Sequence, residues 1–189
     1  MAEGMLLRRE DVRVEDTWEM RDLYGSDEEW EKDFERLERE IGELREYEGR
    51  LGEGAETLLK MQRKSDELNV LAERVYVYAN QRLHEDTDNG TYQNLANRAQ
   101  GLLVRLSEAA AYVEPELLGL PEGTLEMFLE ENGELLVYRQ YFENMIRQRE
   151  HVLNREGEEL LAGAGEIAEG PKDIFSMFNN ADLKFPVIE

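Results

Sequence analysis

Hydrophobic residues recur every three or four positions through most of the chain. Trp30, Phe34, Leu37, Ile41 and Leu44 follow one another at spacings of 4, 3, 4 and 3, and Leu51 comes seven later. That period puts them on one stripe of an α-helix whose other faces are charged. Ser26 and Glu29 supply a capping box at its start, and Asp27 and Glu28 suit the positive end of the helix dipole. Gly52-Glu53-Gly54 closes it. A second helix is predicted from Ala55 to about His84, with Leu68, Leu71, Ala72, Val75, Tyr78, Ala79 and Leu83 on its apolar face. The run EDTDNG, residues 85–90, is a dense turn signal. Thr91 then opens a third helix, with Leu95, Ala99, Leu102, Leu106, Ala109 and Val113 spaced 4, 3, 4, 3 and 4. Pro115 stops or kinks it.

The second half repeats the pattern in shorter pieces. Residues 124–131 read as a short helix ended by Asn132-Gly133, and residues 134–152 as a longer one. A further helix is expected over residues 154–168, weakened by Gly163 and Gly165. Gly170-Pro171 starts one more, because Pro is well placed in a first helical turn, and Asn179-Asn180 ends it. The final segment, ADLKFPVIE, alternates Leu183, Phe185 and Val187 with polar or turn residues, which is a strand pattern. A lone strand needs a partner for its backbone groups, so it is expected to pair with another molecule or with further chain. At the other end, Trp18, Met20, Leu23 and Tyr24 form an apolar knot, which suits an arm docked on the helical body.

Composition narrows the possibilities. With 189 residues the chain suits one domain and can bury about 70% of its unfolded surface, so it needs no disulfide or metal to fold. Charged residues make up 35% and Pro only 4 positions, which favours long helices with charged outer faces. The net charge of −22 argues against a nucleic-acid backbone and against an anionic membrane as partners. No cysteine is present, so disulfides, thiolate metal sites and cysteine nucleophiles are excluded. The N-terminal stretch lacks the apolar core of a signal peptide and no apolar run reaches the ~18 residues of a membrane span, so the expected location is the cytoplasm.

Candidate chemistry is sparse. HEDTD, residues 84–88, begins like the zinc-peptidase motif HExxH but puts Asp88 where the second histidine would stand. The motif works because histidines at i and i+4 share a helix face. Asn89-Gly90 follows at once, so the favoured reading is a helix end with His84 near the negative dipole terminus. Gln81 and Gln148 precede His84 and His151 by three residues, so neither histidine sits in the Glu-x-x-His pattern of a di-iron bundle. A calcium loop aligned on Gly90 lacks its terminal glutamate. Tyr76, Tyr78, Tyr138, Tyr141 and Phe142 could line a groove, although helical spacing favours core packing. No catalytic, cofactor-binding or metal residue is assigned from the residues alone.

Several stretches, in order, carry a resemblance. DTWEMRDLYGSDEEWEKDF at 16–34 resembles the opening of the oligoendopeptidase F family (M3B) of zinc metallopeptidases. RVYVYANQRLHEDTDNGTYQNLANRAQGL at 74–102, PELLGL at 115–120 and YRQYFENMIRQREHVLNREGEELLAGAGEI at 138–167 continue it, and FSMFNNADLKFPVI at 175–188 resembles the passage from the family's helical lobe into a β-hairpin. The resemblance implies a larger, cytoplasmic, zinc-dependent enzyme that cuts short peptides in a channel between two helical lobes. HExxH is absent here, so no catalytic or zinc residue carries over, and zinc is expected only in the intact parent protein.

The expected fold is therefore all-α, an antiparallel helical bundle or lobe with a C-terminal β-strand that is unpaired or paired with a partner. Residues 1–25 are expected as a docking arm, 26–180 as the N-terminal lobe, and 181–189 as the start of a hairpin leading to a catalytic domain. The expected role is to wall the channel and restrict substrate size, with oligopeptide as substrate of the intact protein. Self-association of the fragment is expected, through its terminal strand or exposed lobe surface. The alternative is a standalone acidic helical protein-interaction module, with no nucleic-acid or membrane partner in either case.

Overall fold

The computed structural model describes residues 11–147, 153 and 155–183. Its α-helices are α1 (Asp27–Glu40), α2 (Ala55–Glu85), α3 (Gly90–Ala110), α4 (Val113–Leu118), α5 (Thr124–Glu131), α6 (Arg139–Arg147), α7 (Arg155–Gly163) and α8 (Gly165–Met177). α2 is the spine. Its 31 residues span roughly 46 Å at 1.5 Å per residue, and two hydrophobic cores are strung along it.

The first core joins α1, the C-terminal half of α2 and α3. Trp30, Phe34, Leu37, Ile41 and Leu44 are all buried, against Leu68, Val75 and Tyr78 of α2 and Leu95, Leu102 and Leu106 of α3. The polar contacts fix the directions. The Trp30 indole donates to the Val75 carbonyl at 2.9 Å, and Lys64 reaches Glu40 at 3.0 Å, so α1 runs antiparallel to α2. Arg98 pairs with Glu31 and Arg105 with Glu38, seven residues on in both helices, so α1 and α3 run parallel. The second core gathers around the N-terminal half of α2, with Leu58 and Met61 packing with Leu117, Phe128, Leu135 and Phe142.

Capping follows the sequence at α1. The Glu29 N–H donates to Ser26 Oγ at 3.4 Å, and the Glu29 carboxylate accepts from the Gly25 N–H at 2.9 Å. The helix does not run on to Leu51 as expected. After Glu40 it tightens into a 3-10 turn over Ile41–Tyr47. Positions three apart eclipse in such a turn, so Ile41 and Leu44 still face the core. The Leu44 carbonyl accepts the buried Tyr112 hydroxyl at 2.7 Å.

Three further expectations are corrected. Over residues 134–152, the described part is a 3-10 turn, Gly133–Tyr138, followed by α6, with Asn132 accepting the Glu134 N–H. Residues 148–152 lie outside the described residues. The helix expected over 154–168 divides at Ala164 into α7 and α8. Gly163 is the reason for the close approach there, since a Cβ on it would stand 2.8 Å from Glu108 Oε1 of α3. Pro171 sits inside α8 and does not begin a helix. The carbonyl it leaves without a donor belongs to Ile167, an exposed residue that water can serve.

The C-terminal β-strand is also overturned. Phe178–Asp182 form a π-helical turn, closed by the Leu183 N–H donating to the Phe178 carbonyl at 2.8 Å, and there is no strand among the described residues. The Asn pair expected to end the helix is instead wound into it. The rest of the alternation, Phe185 and Val187, lies outside the described residues.

The N-terminal knot divides. Tyr24 is buried and its ring meets Tyr78 edge-on at 5.3 Å, while Met20 and Leu23 pack partly on the first core. Trp18 stays 81% exposed.

Candidate functional site

The turn between α2 and α3 answers the question posed by HEDTD. α2 ends at Glu85, and Asp86 takes an extended conformation. His84 lies exposed in the last helical turn and Asp88 lies exposed in the loop, so the two do not share a helix face. Asn89 caps α3 by accepting from the N–H groups of Thr91 and Tyr92. Arg82 pins the hairpin from inside, donating to Glu85 at 2.9 Å and to the Tyr92 hydroxyl at 2.7 Å, with its guanidinium 4.4 Å over the Tyr92 ring. Among the described residues no three His, Cys, Asp or Glu side chains gather as a metal set. His151 lies outside them.

Two concave sites flank the spine. The first is a cleft of about 560 Å³ between the turn end of α2, the start of α3, and α8. One face of α2 contributes Tyr76, Asn80, Leu83 and His84, and one face of α3 contributes Gln93, Asn97 and Gln100. α8 supplies the opposite wall with Lys172, Asp173, Ile174 and Met177. Asn80 donates to the Tyr76 carbonyl at 3.0 Å and Gln93 to the Thr87 carbonyl at 2.7 Å, which leaves their amide oxygens as acceptors. Asn97 and Gln100 make no side-chain hydrogen bond among the described residues. Lys172 is neutralised by Glu169 at 2.8 Å, a contact that also holds its ammonium form and pushes its pKa up. The cleft is thus built mainly of amides and apolar groups, with little net charge.

The second is a cavity of about 740 Å³ among α2, α3, α7 and the Tyr138–Tyr141 segment. The Tyr138 hydroxyl donates to Asp66 at 2.6 Å. Burial first, then that carboxylate, pushes the Tyr138 pKa up to about 12. Burial and the neighbouring Glu114 push Tyr141 up to about 12 as well. Both phenols therefore stay neutral donors at physiological pH. The Gln62 side chain is buried beside this cavity, and its Nε2 finds no partner among the described residues.

The aromatic set singled out in the sequence does not line one groove, although Tyr138 and Tyr141 stand 6.4 and 5.4 Å from Phe142. Tyr78 and Phe142 belong to the two cores, Tyr76 lines the first site, and Tyr138 and Tyr141 line the second. The amide row on α3 went unnoticed in the sequence. Its signal was there: Gln93, Asn97 and Gln100 recur at spacings of 4 and 3, the period of the apolar stripe but on another face.

Comparison with known proteins places this architecture. A family model described as Oligopeptidase F matches residues 116–185. Oligopeptidase PepF of Bacillus subtilis is 37% identical over 181 residues, covering 96% of this chain and 27% of the relative. An oligoendopeptidase F homolog of Lactococcus lactis is 33% identical over 186 residues, covering 98% of this chain and 31% of the relative. The crystal structure of oligoendopeptidase-F from Enterococcus faecium superposes with a TM-score of 0.81 at 38% identity, over 86% of this chain and 31% of that one. The chain spans less than a third of the length of these relatives. In sequence and in fold it corresponds to the N-terminal portion of the oligoendopeptidase F family.

Proposed function

We propose that this chain is the N-terminal lobe of a zinc-dependent oligoendopeptidase. In this reading the intact protein hydrolyses short peptides in the cytoplasm, and the lobe walls its channel and limits entry by size. Met20, Leu23 and Tyr24 anchor the N-terminal arm on the lobe formed by the helices that follow. One observation carries the reading: the chain aligns over 96% to 98% of its own length with proteins named as oligopeptidase PepF and oligoendopeptidase F homolog. Zinc is assigned to the remainder of the longer protein. The described residues do not fit the metal: His84 and Asp88 are separated by a helix end, and among the described residues no third donor joins them.

A second feature supports a lobe that seats against more protein. Leu160, Ile167, Ile174, Phe175 and Phe178 of α7, α8 and the turn beyond are each more than half exposed. Ile167, Ile174 and Phe178 are spaced 7 and 4, so they form one stripe along α8. An exposed apolar stripe of this kind marks an interaction surface. Separated from the longer protein, this face drives the chain to self-associate. The experiment that tests the proposal is peptide cleavage by the longer gene product beside the 189-residue chain. Zinc-dependent cleavage by the first and none by the second is expected.

A further inference from the structure

We infer that the cleft between the α2–α3 hairpin and α8 binds the backbone of an extended peptide, with little regard to its side chains. The inference rests on the peptidase reading only for calling that peptide a substrate; the site itself stands on the cleft.

The chemistry follows from the amides. A carboxamide carries two N–H donors and a carbonyl acceptor, so it matches both polar groups of a peptide unit without selecting a side chain. Asn97 and Gln100 have both functions unengaged among the described residues, and Asn80 and Gln93 retain their acceptors. The reach of the row fits as well. Along α3, the steps from residue 93 to 97 and from 97 to 100 are roughly 6 Å and 4.5 Å at 1.5 Å per residue. An extended peptide presents groups on one side at intervals of roughly 6.7 Å, so the row spans about three of its residues. Tyr76 and Ile174 add apolar surface on opposite walls for side chains of varied shape. The cleft volume of about 560 Å³ lies within the usual range for ligand sites. Charge recognition is not required, since the ammonium in the wall is already paired within α8.

A nuclear magnetic resonance titration of the 189-residue chain tests this. The probe is an acetylated and amidated octapeptide of alanine, serine and glycine, followed by a second neutral octapeptide of unrelated sequence. Both should shift the side-chain amide signals of Asn97 and Gln100, with affinities within a few-fold of each other. Methylating alternate backbone nitrogens of the probe, or substituting N97A and Q100A together, should weaken binding about tenfold. Asn97 is exposed and Gln100 half-buried, so the variant should fold, which its unchanged thermal midpoint would establish. Absence of shifts at millimolar peptide, indifference to N-methylation, or unchanged affinity in the variant would overturn the assignment. The peptidase reading is judged separately by whether an HExxH helix follows in the gene. A silent cleft with that motif present removes only this inference, and a binding cleft without it removes only the other.

Discussion

At the scale of single residues, Glu116 shows how one side chain can hold distant parts of the chain together. Its two oxygens accept the N–H groups of Gly49 and Leu51, both at 2.7 Å, across a separation of 65 residues or more. Gly49 has φ +76°, a conformation that favours glycine, and a Cβ on Gly52 would meet Leu120 at 2.7 Å. The loop after the first core is thus moulded onto the second core, and Glu116 satisfies its backbone. Replacing Glu116 with Ala should lower stability by about 1.5–3 kcal/mol in urea unfolding, the range for hydrogen bonds to a charged group. A change within about 0.5 kcal/mol, as for an ordinary surface site, would contradict this role. This contact was not legible in the sequence. Glu116 is one of 44 acidic residues, and nothing in its local spacing separates it from the others. The buried stripe was legible for the opposite reason: Trp30, Phe34, Leu37, Ile41 and Leu44 announce themselves by period, and all are buried.

At the scale of elements, α1, α2 and α3 were readable because long periodic segments leave little ambiguity. Their ends were not. Periodicity cannot tell an α-turn from the 3-10 turn at Ile41–Tyr47, since both keep Ile41 and Leu44 inside. Nor did the alternation that begins at Leu183 foretell the π-helical turn that the preceding helix makes over Phe178–Asp182. The site was less legible still, because the cleft needs α8 laid against α3, a tertiary placement. The polar seams between elements yield a pH dependence. The hydrogen bond from Arg98 of α3 to Glu31, and those to Glu40 from Arg36 within α1 and then from Lys64 of α2, hold both carboxyls below their usual value of 4.5, against an opposing push from burial. A depressed folded-state pKa stabilises the fold fully above the unfolded value and loses that contribution as pH falls through the folded value. Stability should therefore hold level near neutral pH and decline below about 4.5, with E31Q/E40Q flattening that part of the curve. The pairs are partly exposed, so each contributes at most about 1 kcal/mol at neutral pH. Urea midpoints that do not respond to pH between 6 and 3, on the scale of about 1 kcal/mol, would contradict the seam's role.

At the scale of the whole molecule, two surfaces stand out from an otherwise acidic exterior. One is the amide-lined cleft, and the other is the apolar face of α7 and α8, with Ile174 on the edge they share. No described helix is long and apolar enough to cross a membrane, so that face is not explained by a membrane span. With a net charge of −22, copies of the chain repel at long range, but salt screens that repulsion beyond about 8 Å at physiological ionic strength. Light scattering of the 189-residue chain should show mass rising with concentration toward the millimolar range, and I167D/F178D should abolish the rise. A strict monomer throughout would mean the face is not adhesive on its own.

The central claim is that this lobe belongs to a longer peptidase whose zinc chemistry lies elsewhere in the protein. The most direct measurement follows cleavage of a quenched fluorescent octapeptide by the chain extended through its own downstream reading frame, with the 189-residue chain assayed in parallel. The account predicts cleavage by the extended protein that stops on chelation and returns with zinc, and no cleavage by the 189-residue chain. Cleavage by the 189-residue chain alone, or none by the extended protein with zinc present, would contradict it.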